Sequence, residues 1–374
     1  MDPRLREDDK MEREEFVSSV TLPEVLLKTI WPNFLVIGAP KCGTRSLYSY
    51  LRQHPDIYMP ERKDPHFFAY HNEQMKLPIE SYDSPEYLAC RAFYDRITHS
   101  AASDIPTYTD LFNDVGKEKA IGEASTTSLY HPPAAGNIKR FTPDAKMIAI
   151  LRNPTDRAFS AYTDGLRRGH EDRTFKDAIE QEPIDSDYIW WGPGKLYYVR
   201  PGFYSKQLQR YYEHFDRKQI KIYLFDEFTR DPSGVVKDIF NFLEVDDSFE
   251  PDMSRKENVS GIPVNGHFDS LFNFAHNIYD KSGPIKGVKN LVWKGLPKRF
   301  RDNISTAKRN ASLVKHFEKE GNNHDANWKT YYDGQFVKPT MSSDIKSQLI
   351  DTFREDIRVL EGMLDKDLSH WLRC

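Results

Sequence analysis

Four short apolar runs alternate with helical patterns along the chain. They are FLVIGAP from Phe34, AIGEAS from Ala120, MIAILR from Met147 and IKIYLF from Ile220. Strands that are buried on both faces read as continuous apolar runs, and the helices between them supply the crossovers of a parallel sheet. The pattern predicts an α/β fold with a central parallel sheet flanked by helices, which begins near Trp31.

Helical periodicity marks the segments that follow these runs. Asn153 can cap a helix whose first position is Pro154. Three apolar stripes at helical spacing predict helices that face the core. They are Leu47, Tyr48 and Leu51; Tyr204, Leu208, Tyr211 and Phe215; and Ile345, Leu349, Phe353, Ile357, Leu360 and Leu364.

The pattern weakens at two places. Residues 1–30 read as a charged leader, which ends in a short amphipathic segment. Between 262 and 340 the chain is rich in Gly, Pro, Asn and Lys, which predicts a loop-rich insertion on the substrate side. We interpret residues 31–374 as one domain, although 374 residues would also suit two or three units.

Composition restricts the possible partners. The chain is 39% hydrophobic and 29% charged, which excludes a disordered or fibrous protein, and its formal net charge is −4. This balance provides no field for nucleic acid, so a local Lys and Arg cluster must hold any anionic ligand. The three cysteines are too scattered for a disulfide framework or a zinc site. No stretch approaches the ~20 apolar residues of a membrane span, and the opening is charged, which predicts a cytoplasmic chain.

The most informative segment is FLVIGAPKCGTRSLYSYL, residues 34–51, in which a buried strand runs through a turn directly into a helix. Consecutive N–H groups in such a turn converge on a phosphate, and the helix N-terminus adds partial positive charge. Lys41 supplies a full charge, and Gly43 lets the backbone approach closely. We predict that an anion is held by Lys41, Cys42, Gly43, Thr44, Arg45 and Ser46.

This loop differs from the nucleoside-triphosphate loop G-x-x-x-x-G-K-[ST], in which Lys follows the second Gly. Gly38 and Gly43 have that spacing, but Thr44 follows Gly43 and the lysine lies inside the loop. A lysine at this place can reach the bridging oxygen of a single phosphate and its transferring group. Asp226, in IKIYLFDE, matches the acidic residue of an NTPase strand and keeps that alternative open.

These segments together resemble the sulfotransferases that use 3′-phosphoadenosine 5′-phosphosulfate (PAPS), particularly the carbohydrate type. APKCGT is similar to their 5′-phosphosulfate loop. Further similar segments follow in the expected order: IGEASTTSLY at 121–130, MIAILRNPTDRAFSAY at 147–162, RPGFYSKQLQRYYEHFDRKQIKIYLFDEF at 200–228 and LSHWL at 368–372. The resemblance implies a P-loop NTPase-like sulfotransferase fold. KCGT, KDPHFF and IGEAS look closest to the chondroitin N-acetylgalactosamine 4-sulfate 6-O-sulfotransferase branch.

A second phosphate site is predicted where the third parallel strand ends. Arg152 and Ser160 lie two helical turns apart at the sheet edge where α/β folds bind ligands. In the family such a pair binds the 3′-phosphate of PAPS, which the resemblance implies here. The alternative for Arg152 is an ion pair with Asp156. The resemblance also implies a loop at 254–263 that closes over the nucleotide, with Lys256 as a phosphate contact.

Sulfuryl transfer needs in-line attack by an acceptor oxygen, a base for its proton and positive charge at the departing phosphate. MPERKDPHFF, residues 59–68, follows the first helix and should hang over the loop. The family's K-E-P-H segment carries the base on its Glu, which implies Asp64, one methylene shorter. His66 and Glu61 are alternative bases, and His66 can also orient the acceptor. Lys63 would contact an anionic acceptor.

Further residues are candidates for the acceptor side. Glu123 comes directly after a strand, where it can bind an acceptor hydroxyl, position Lys41 or cap the next helix. Arg167 belongs to a basic cluster that suits a sulfated or carboxylated sugar, or that forms a solvated face. Four aromatic residues either stack on sugar rings or form a satellite core. They are Trp190, Trp191, Tyr197 and Tyr198.

The sequence therefore predicts an enzyme that moves a sulfuryl group from PAPS to a hydroxyl of a glycosaminoglycan-like carbohydrate, without a metal. A small hydroxylated metabolite is the alternative acceptor. Alternatives of another class are a P-loop kinase or NTPase and a non-catalytic scaffold that binds nucleotide or glycan. The location is cytoplasmic as the sequence stands, or the Golgi lumen of glycan-modifying relatives if the N-terminus is incomplete.

Overall fold

The computed structural model describes residues 29–71, 104–168, 171, 173–182, 197–254, 262–263, 336–337 and 340–374. In this part of the chain, five parallel strands form a sheet in the order β2-β3-β1-β4-β5. They are β1 Phe34–Gly38, β2 Ile57–Tyr58, β3 Ala120–Ala124, β4 Lys146–Leu151 and β5 Ile220–Leu224. Two further strands, β6 Ile262–Pro263 and β7 Phe336–Val337, form a separate antiparallel pair.

Helices flank the sheet, as the alternating pattern predicts. They are α1 Thr44–Leu51, α2 Phe67–Tyr70, α3 Ile105–Thr109, α4 Pro132–Phe141, α5 Pro154–Arg168, α6 Phe175–Glu180, α7 Tyr204–His214, α8 Phe225–Arg230, α9 Pro232–Leu243 and α10 Ser343–Leu364. Short 3₁₀ turns lie at Asp110–Phe112, Arg200–Gly202, Arg217–Gln219 and Ser369–Leu372. None of the described helices combines the length and the apolarity needed to cross a bilayer.

The four predicted strands are confirmed as β1, β3, β4 and β5. All five residues of β1 are buried, because neighbouring strands and covering helices enclose it. Its first residue, Phe34, pairs with Gly122 on one side and Lys146 on the other. A Cβ at Gly122 would lie 2.1 Å from the Phe34 ring, so the strand pairing requires glycine there. The two-residue strand β2 is too short to produce a sequence pattern.

The strand order reverses at β1, which has β3 on one side and β4 on the other. Connections that leave β1 and β4 therefore start side by side and diverge, which opens a crevice at the carboxyl edge of the sheet. Residues 39–43, 125–131 and 152–153 leave the sheet at this edge. The predicted site residues of the loop and of β4 thus belong to one region of the fold.

The predicted helix cap and stripes are confirmed. Asn153 Oδ1 accepts hydrogen bonds from the N–H groups of Thr155, at 3.0 Å, and Asp156, at 3.4 Å. The stripes of α7 and α10 are buried, except for the partly buried Leu364. These two helices also meet through polar groups, since Asp356 Oδ2 accepts from the Ser205 N–H at 3.3 Å.

Two predicted segments are only marginally represented in the described residues. Residues 1–28 of the leader lie outside them, as does the 262–340 insertion apart from β6, β7 and Thr340. The interpretation of 31–374 as one domain stays a prediction.

Candidate active site

The loop predicted to bind an anion connects β1 to α1. Lys41 and Gly43 both have left-handed backbone conformations, with φ of 71° and 85°. Gly43 precedes the helix, no side chain caps it, and the first turn of α1 contains no acidic residue. The N–H groups of Gly43 to Ser46 therefore lack partners within the helix, which is the arrangement that accepts a phosphate-sized anion.

Neighbouring side chains support the loop backbone closely. A Cβ at Gly38 would lie 2.6 Å from Leu129 Cβ, so the strand end requires glycine. A Cβ at Gly43 would lie 3.2 Å from the Phe228 ring and 3.3 Å from the Phe225 ring, and its positive φ also favours glycine. The loop therefore rests directly on an aliphatic side chain and two aromatic rings.

Cys42 differs from the other predicted anion contacts. Its N–H donates to Ala39 O at 3.3 Å, and its thiol is buried, 3.9 Å from Tyr204 Oη. Burial raises the pKa of the thiol to about 11, so the thiol is neutral. The thiol of Cys42 therefore packs inside the protein, and the contribution of Cys42 to anion binding stays a prediction.

Arg152 is connected to the loop by direct contacts. Its Nη1 donates to Lys41 O at 3.4 Å, and its guanidinium lies 4.8 Å from the centre of the Phe225 ring. Tyr204 Oη donates to Arg152 O at 2.9 Å and also contacts the Cys42 thiol. The alternative ion pair is not observed, since none of the described ion pairs joins Arg152 to an acidic residue. The hydrogen bond between Arg152 and Lys41 therefore connects the two predicted phosphate sites.

Helix α5 adds a second group beside Lys41. Asp164 Oδ2 lies 3.6 Å from Lys41 Nζ, and the two side chains are 17% and 25% exposed. Ser160, which is half-buried, lies one turn earlier on the same face of the helix. The structure therefore brings the face that carries Ser160 against the loop. Arg167 is the next-to-last residue of this helix, but its side chain is outside the described residues, as is Lys256.

The segment 59–66 is attached to the same edge of the sheet. Tyr48 of α1 donates to the carbonyl oxygens of Pro60 and Glu61. At its other end, the Asp64 N–H donates to Ala124 O, at the end of β3, at 2.9 Å. These contacts hold the segment between the helix after the anion loop and the neighbouring strand, as its place in the sequence predicts.

The carboxylate of Asp64 is fixed by three donors. Oδ2 accepts from Lys63 Nζ at 2.7 Å, and Oδ1 accepts from Thr126 N and Oγ1 at 3.1 and 3.3 Å. Burial opposes the charge, but Lys63, His66 and the Thr126 N–H outweigh it and lower the pKa of Asp64. Asp64 is therefore ionised at neutral pH. Lys63, predicted to contact an acceptor, has its charge engaged by Asp64 and is only 11% exposed.

His66 lies on the same turn and packs against the segment that follows β3. Its Nδ1 is 2.8 Å from Thr127 Oγ1, and its N–H donates to Ser125 Oγ at 2.9 Å. Burial lowers the pKa of the imidazole to about 4, although the nearby Asp64 charge acts in the opposite direction. The ring is therefore neutral at physiological pH.

Glu123 is the fourth residue of β3, whereas the sequence predicts it just after the strand. It is 1% exposed, and its Oε2 accepts from Ser125 Oγ at 2.7 Å. Burial raises the pKa of this carboxyl to about 8. It caps no helix, since the next helix begins at Pro132. Because β3 buries its side chain, direct contact with an acceptor would require the surrounding residues to move.

Two alternatives from the sequence are resolved by burial and contacts. Tyr197 and Tyr198 are buried, which favours the satellite core over sugar stacking; Trp190 and Trp191 lie outside the described residues. Asp226, the residue that kept the NTPase interpretation open, lies in α8. Its Oδ2 accepts from Trp371 Nε1 at 3.4 Å and lies 3.3 Å from His370 Nε2, so it anchors the C-terminal turn.

Several residues around the site were not assigned to it from the sequence: Ser125, Thr126, Thr127, Asp164, Tyr204 and Phe225. The three hydroxyl residues lie in IGEASTTSLY, and Tyr204 belongs to an apolar stripe. Of these six residues, only Asp164 could have been recognised from a local sequence feature, because it follows Ser160 by four residues, which is about one helical turn. The others contact the loop or the 59–66 segment through tertiary packing.

The sheet order, the anion loop after β1 and the arginine after β4 define an α/β protein of the P-loop type. The sulfotransferase domain family matches residues 32–287 of the chain, and the chain belongs to this family.

Similar proteins agree with this assignment. Mouse heparan sulfate glucosamine 3-O-sulfotransferase 3B1 is 26% identical over 214 residues, which cover 57% of this chain and 46% of that protein. Human carbohydrate sulfotransferase 15 is 27% identical over 157 residues, 35% of this chain and 27% of that protein. The matches thus span less than half of these relatives. A solved sulfotransferase from Alicyclobacillus acidocaldarius has a TM-score of 0.60 and 28% identity, covering 92% of this chain and 100% of its own.

Proposed function

We propose that this protein transfers the sulfuryl group of PAPS to a hydroxyl of an acceptor. The observation that carries the proposal is the contact of Arg152 Nη1 with Lys41 O, which joins two cationic residues beside the uncapped N-terminus of α1. Adjacent anion sites of this kind suit a donor with two separate phosphates, which PAPS has. Family membership supplies the reaction class.

The donor side follows from this arrangement. The N–H groups that begin α1 hold the 5′-phosphate, and Arg152 with Ser160 holds the 3′-phosphate. Lys41 stabilises the bridging oxygen as negative charge develops on it. The acceptor oxygen attacks sulfur, the bond between sulfur and the bridging oxygen breaks, and 3′-phosphoadenosine 5′-phosphate departs.

The acceptor proton goes to Asp64 in this proposal. Its carboxylate is oriented by Lys63 and Thr126 and is ionised at neutral pH, so it is ready to accept a proton without first losing one. His66 is the second candidate, since its imidazole is neutral at physiological pH and can accept a proton. Separate substitution of Asp64 and of His66 distinguishes these candidates, because loss of the base lowers turnover and leaves donor binding unchanged.

We further propose a carbohydrate acceptor of the glycosaminoglycan type. The names of the curated relatives support this substrate class, since they include a heparan sulfate glucosamine 3-O-sulfotransferase and a carbohydrate sulfotransferase. The finer assignment to the chondroitin 6-O branch depends on the similarity of KCGT, KDPHFF and IGEAS. A small hydroxylated metabolite is the other outcome of the acceptor test.

Two measurements test the proposal. Calorimetry compares 3′-phosphoadenosine 5′-phosphate with ATP plus Mg²⁺, and we expect the bisphosphate to bind more tightly. Labelled PAPS is then offered with desulfated and sulfated glycosaminoglycans beside phenols and steroids. Preferred binding of ATP plus Mg²⁺ would support a kinase or NTPase instead. Bisphosphate binding without transfer to any acceptor would support a scaffold.

A further inference from the structure

Glu123 is a buried carboxyl group beside the proposed base, and the proposed chemistry does not use it. We propose that Glu123 is a positioning residue, which holds the turn of residues 64–66 in its working conformation through the hydroxyl of Ser125. This inference rests on the proposed function, because it concerns the residues assigned to proton transfer.

The contacts form a short chain from the strand to the turn. Ser125 Oγ donates to Glu123 Oε2 at 2.7 Å and accepts from the His66 N–H at 2.9 Å. A hydroxyl has only one hydrogen, so donation to Glu123 leaves a lone pair directed at His66. Both Ser125 and Glu123 are buried, so water does not replace either partner at low cost.

The turn needs this support because of its backbone conformation. Asp64 and His66 have φ of 60° and 59°, a left-handed region that is unfavourable for residues other than glycine. Three consecutive residues after Glu123 offset the cost. Ala124 O accepts from the Asp64 N–H, Ser125 Oγ accepts from the His66 N–H, and the Thr126 N–H donates to the Asp64 carboxylate.

The surroundings of Glu123 favour a neutral carboxylic acid at pH 7. Asp64 and Lys63 face it from the 59–66 segment, and Tyr108 of α3 and Tyr211 of α7 lie close enough to interact electrostatically. Burial raises its pKa to about 8, and the charge of Asp64 acts in the same direction. A neutral acid accepts the Ser125 hydrogen bond without a second negative charge near Asp64. Glutamine would reproduce such a group, whereas alanine would not.

The experiment compares Glu123→Ala, Glu123→Gln and Ser125→Ala, with Glu355→Gln on the exposed surface of α10 as the matched control. Amide hydrogen exchange at His66 is measured first, because this N–H is the last group in the series of hydrogen bonds from Glu123 through Ser125. We expect Glu123→Ala and Ser125→Ala to accelerate its exchange about fivefold to tenfold. Glu123→Gln and the control should leave the exchange within about twofold of the original protein.

Turnover with labelled PAPS and the best glycosaminoglycan acceptor is measured on the same variants. Glu123→Ala and Ser125→Ala should lose about 10-fold to 100-fold in kcat, because a small displacement of the turn misplaces the base. Affinity for 3′-phosphoadenosine 5′-phosphate should change less than about twofold, since the donor contacts lie on other loops. A general disturbance of the fold would instead lower both kcat and the affinity for 3′-phosphoadenosine 5′-phosphate.

The outcomes separate this inference from the proposed function. Unchanged exchange at His66 in Glu123→Ala would overturn the inference, whether or not the protein transfers sulfate. Glu123→Gln that behaves like Glu123→Ala would also overturn it, because it would show that the negative charge is required. Ser125→Ala retains Glu123, so it provides the exchange measurement if Glu123→Ala does not fold. Absence of transfer by the unsubstituted protein would refute only the proposed function.

Discussion

Lys41 Nζ lies 3.6 Å from Asp164 Oδ2, and this ion pair joins the anion loop to helix α5. Lys41 is the cation that the proposed reaction needs at the departing phosphate, so its charge is shared between an internal carboxylate and the incoming donor. Asp164 follows Ser160 by one helical turn, which places the carboxylate at the junction of the two proposed phosphate sites. Both residues therefore affect donor binding, in opposite directions.

Replacement of Lys41 by alanine should abolish most of the sulfuryl transfer and leave the fold intact. Loss of one preorganised positive group at developing charge typically costs at least about 100-fold in kcat. The free energy of unfolding should change by less than about 1 kcal/mol, because the ion pair is partly exposed. Labelled-PAPS turnover and urea denaturation measure the two effects. Lys218→Ala, at an exposed site, is the control, and unchanged turnover in Lys41→Ala would refute the assignment.

Replacement of Asp164 by asparagine should strengthen donor binding. The change removes a negative charge near the proposed phosphates and the ion pair of Asp164 with Lys41, so affinity for 3′-phosphoadenosine 5′-phosphate should rise about threefold to tenfold at low salt. The gain should shrink at high ionic strength, because salt screens the repulsion. Calorimetry at two salt concentrations measures it, with the exposed Asp156→Asn on the same helix as control. Weaker binding would show instead that Asp164 orients Lys41.

The sequence predicts those features that depend on local pattern. Buried parallel strands give apolar runs, and Asn153 followed by Pro154 marks a helix start, so the sheet and its crossovers follow from the chain alone. The anion loop is equally local, because Gly43 and the start of α1 are adjacent in sequence. The strand order that brings Arg152 to this loop is a tertiary property, which the apolar runs do not encode.

The electrostatic state of the acceptor side could not be predicted in the same way. Glu123 looks like any carboxylate in sequence, and its raised pKa results from burial in β3. In the sequence Lys63 looks available to bind a substrate, but in the structure its ammonium group is paired with the carboxylate of its neighbour Asp64. Burial and partner choice depend on segments that are distant in sequence. This is why the predicted roles of Glu123 and Lys63 differ most from the observed geometry.

Replacement of Tyr204 by phenylalanine should weaken donor binding and stability together. The substitution removes the hydrogen bond from Tyr204 Oη to Arg152 O, which fixes the backbone of the proposed 3′-phosphate residue. We expect a loss of about 1 kcal/mol in the free energy of unfolding and a threefold to tenfold weaker affinity for 3′-phosphoadenosine 5′-phosphate, by the ordinary contribution of one hydrogen bond of about 1 kcal/mol. Urea denaturation and calorimetry measure these.

Tyr212→Phe on the same helix is the matched control for Tyr204→Phe, since Tyr212 Oη makes no described hydrogen bond. Affinity that falls equally in both variants would contradict a specific role for the contact with Arg152.

Replacement of Asp64 by asparagine should lower turnover far more than donor affinity. Loss of a general base typically costs about 10²–10⁴-fold, whereas the asparagine side chain retains one acceptor for Thr126. Turnover with labelled PAPS and calorimetry with 3′-phosphoadenosine 5′-phosphate separate the two effects. Asp351→Asn, at an exposed position of α10, is the control. Near-normal turnover would transfer the role of base to His66 or Glu61.

Replacement of His66 by glutamine should change how the stability depends on pH. The pKa of His66 is about 4 in the folded protein and about 6.5 when unfolded, so folding favours the neutral ring. Its stabilising contribution is therefore complete above pH 6.5 and is lost as the pH falls through this range toward 4. The difference in unfolding free energy between the original protein and His66→Gln should shrink by on the order of 1–2 kcal/mol between pH 7 and pH 4.5.

Urea denaturation at pH 7, 5.5 and 4.5 measures this difference. Burial also lowers the pKa of His131 to about 4, and a charged His66 lowers it further, although His66 is the smallest of the causes, so His131 adds only a minor part to the difference. Because the neighbouring Asp64 is ionised throughout most of this range, the change in the difference reports chiefly on the His66 ring. A difference that stays constant with pH would show that the imidazole is not kept neutral by its burial, and it would remove the argument for His66 as an available proton acceptor.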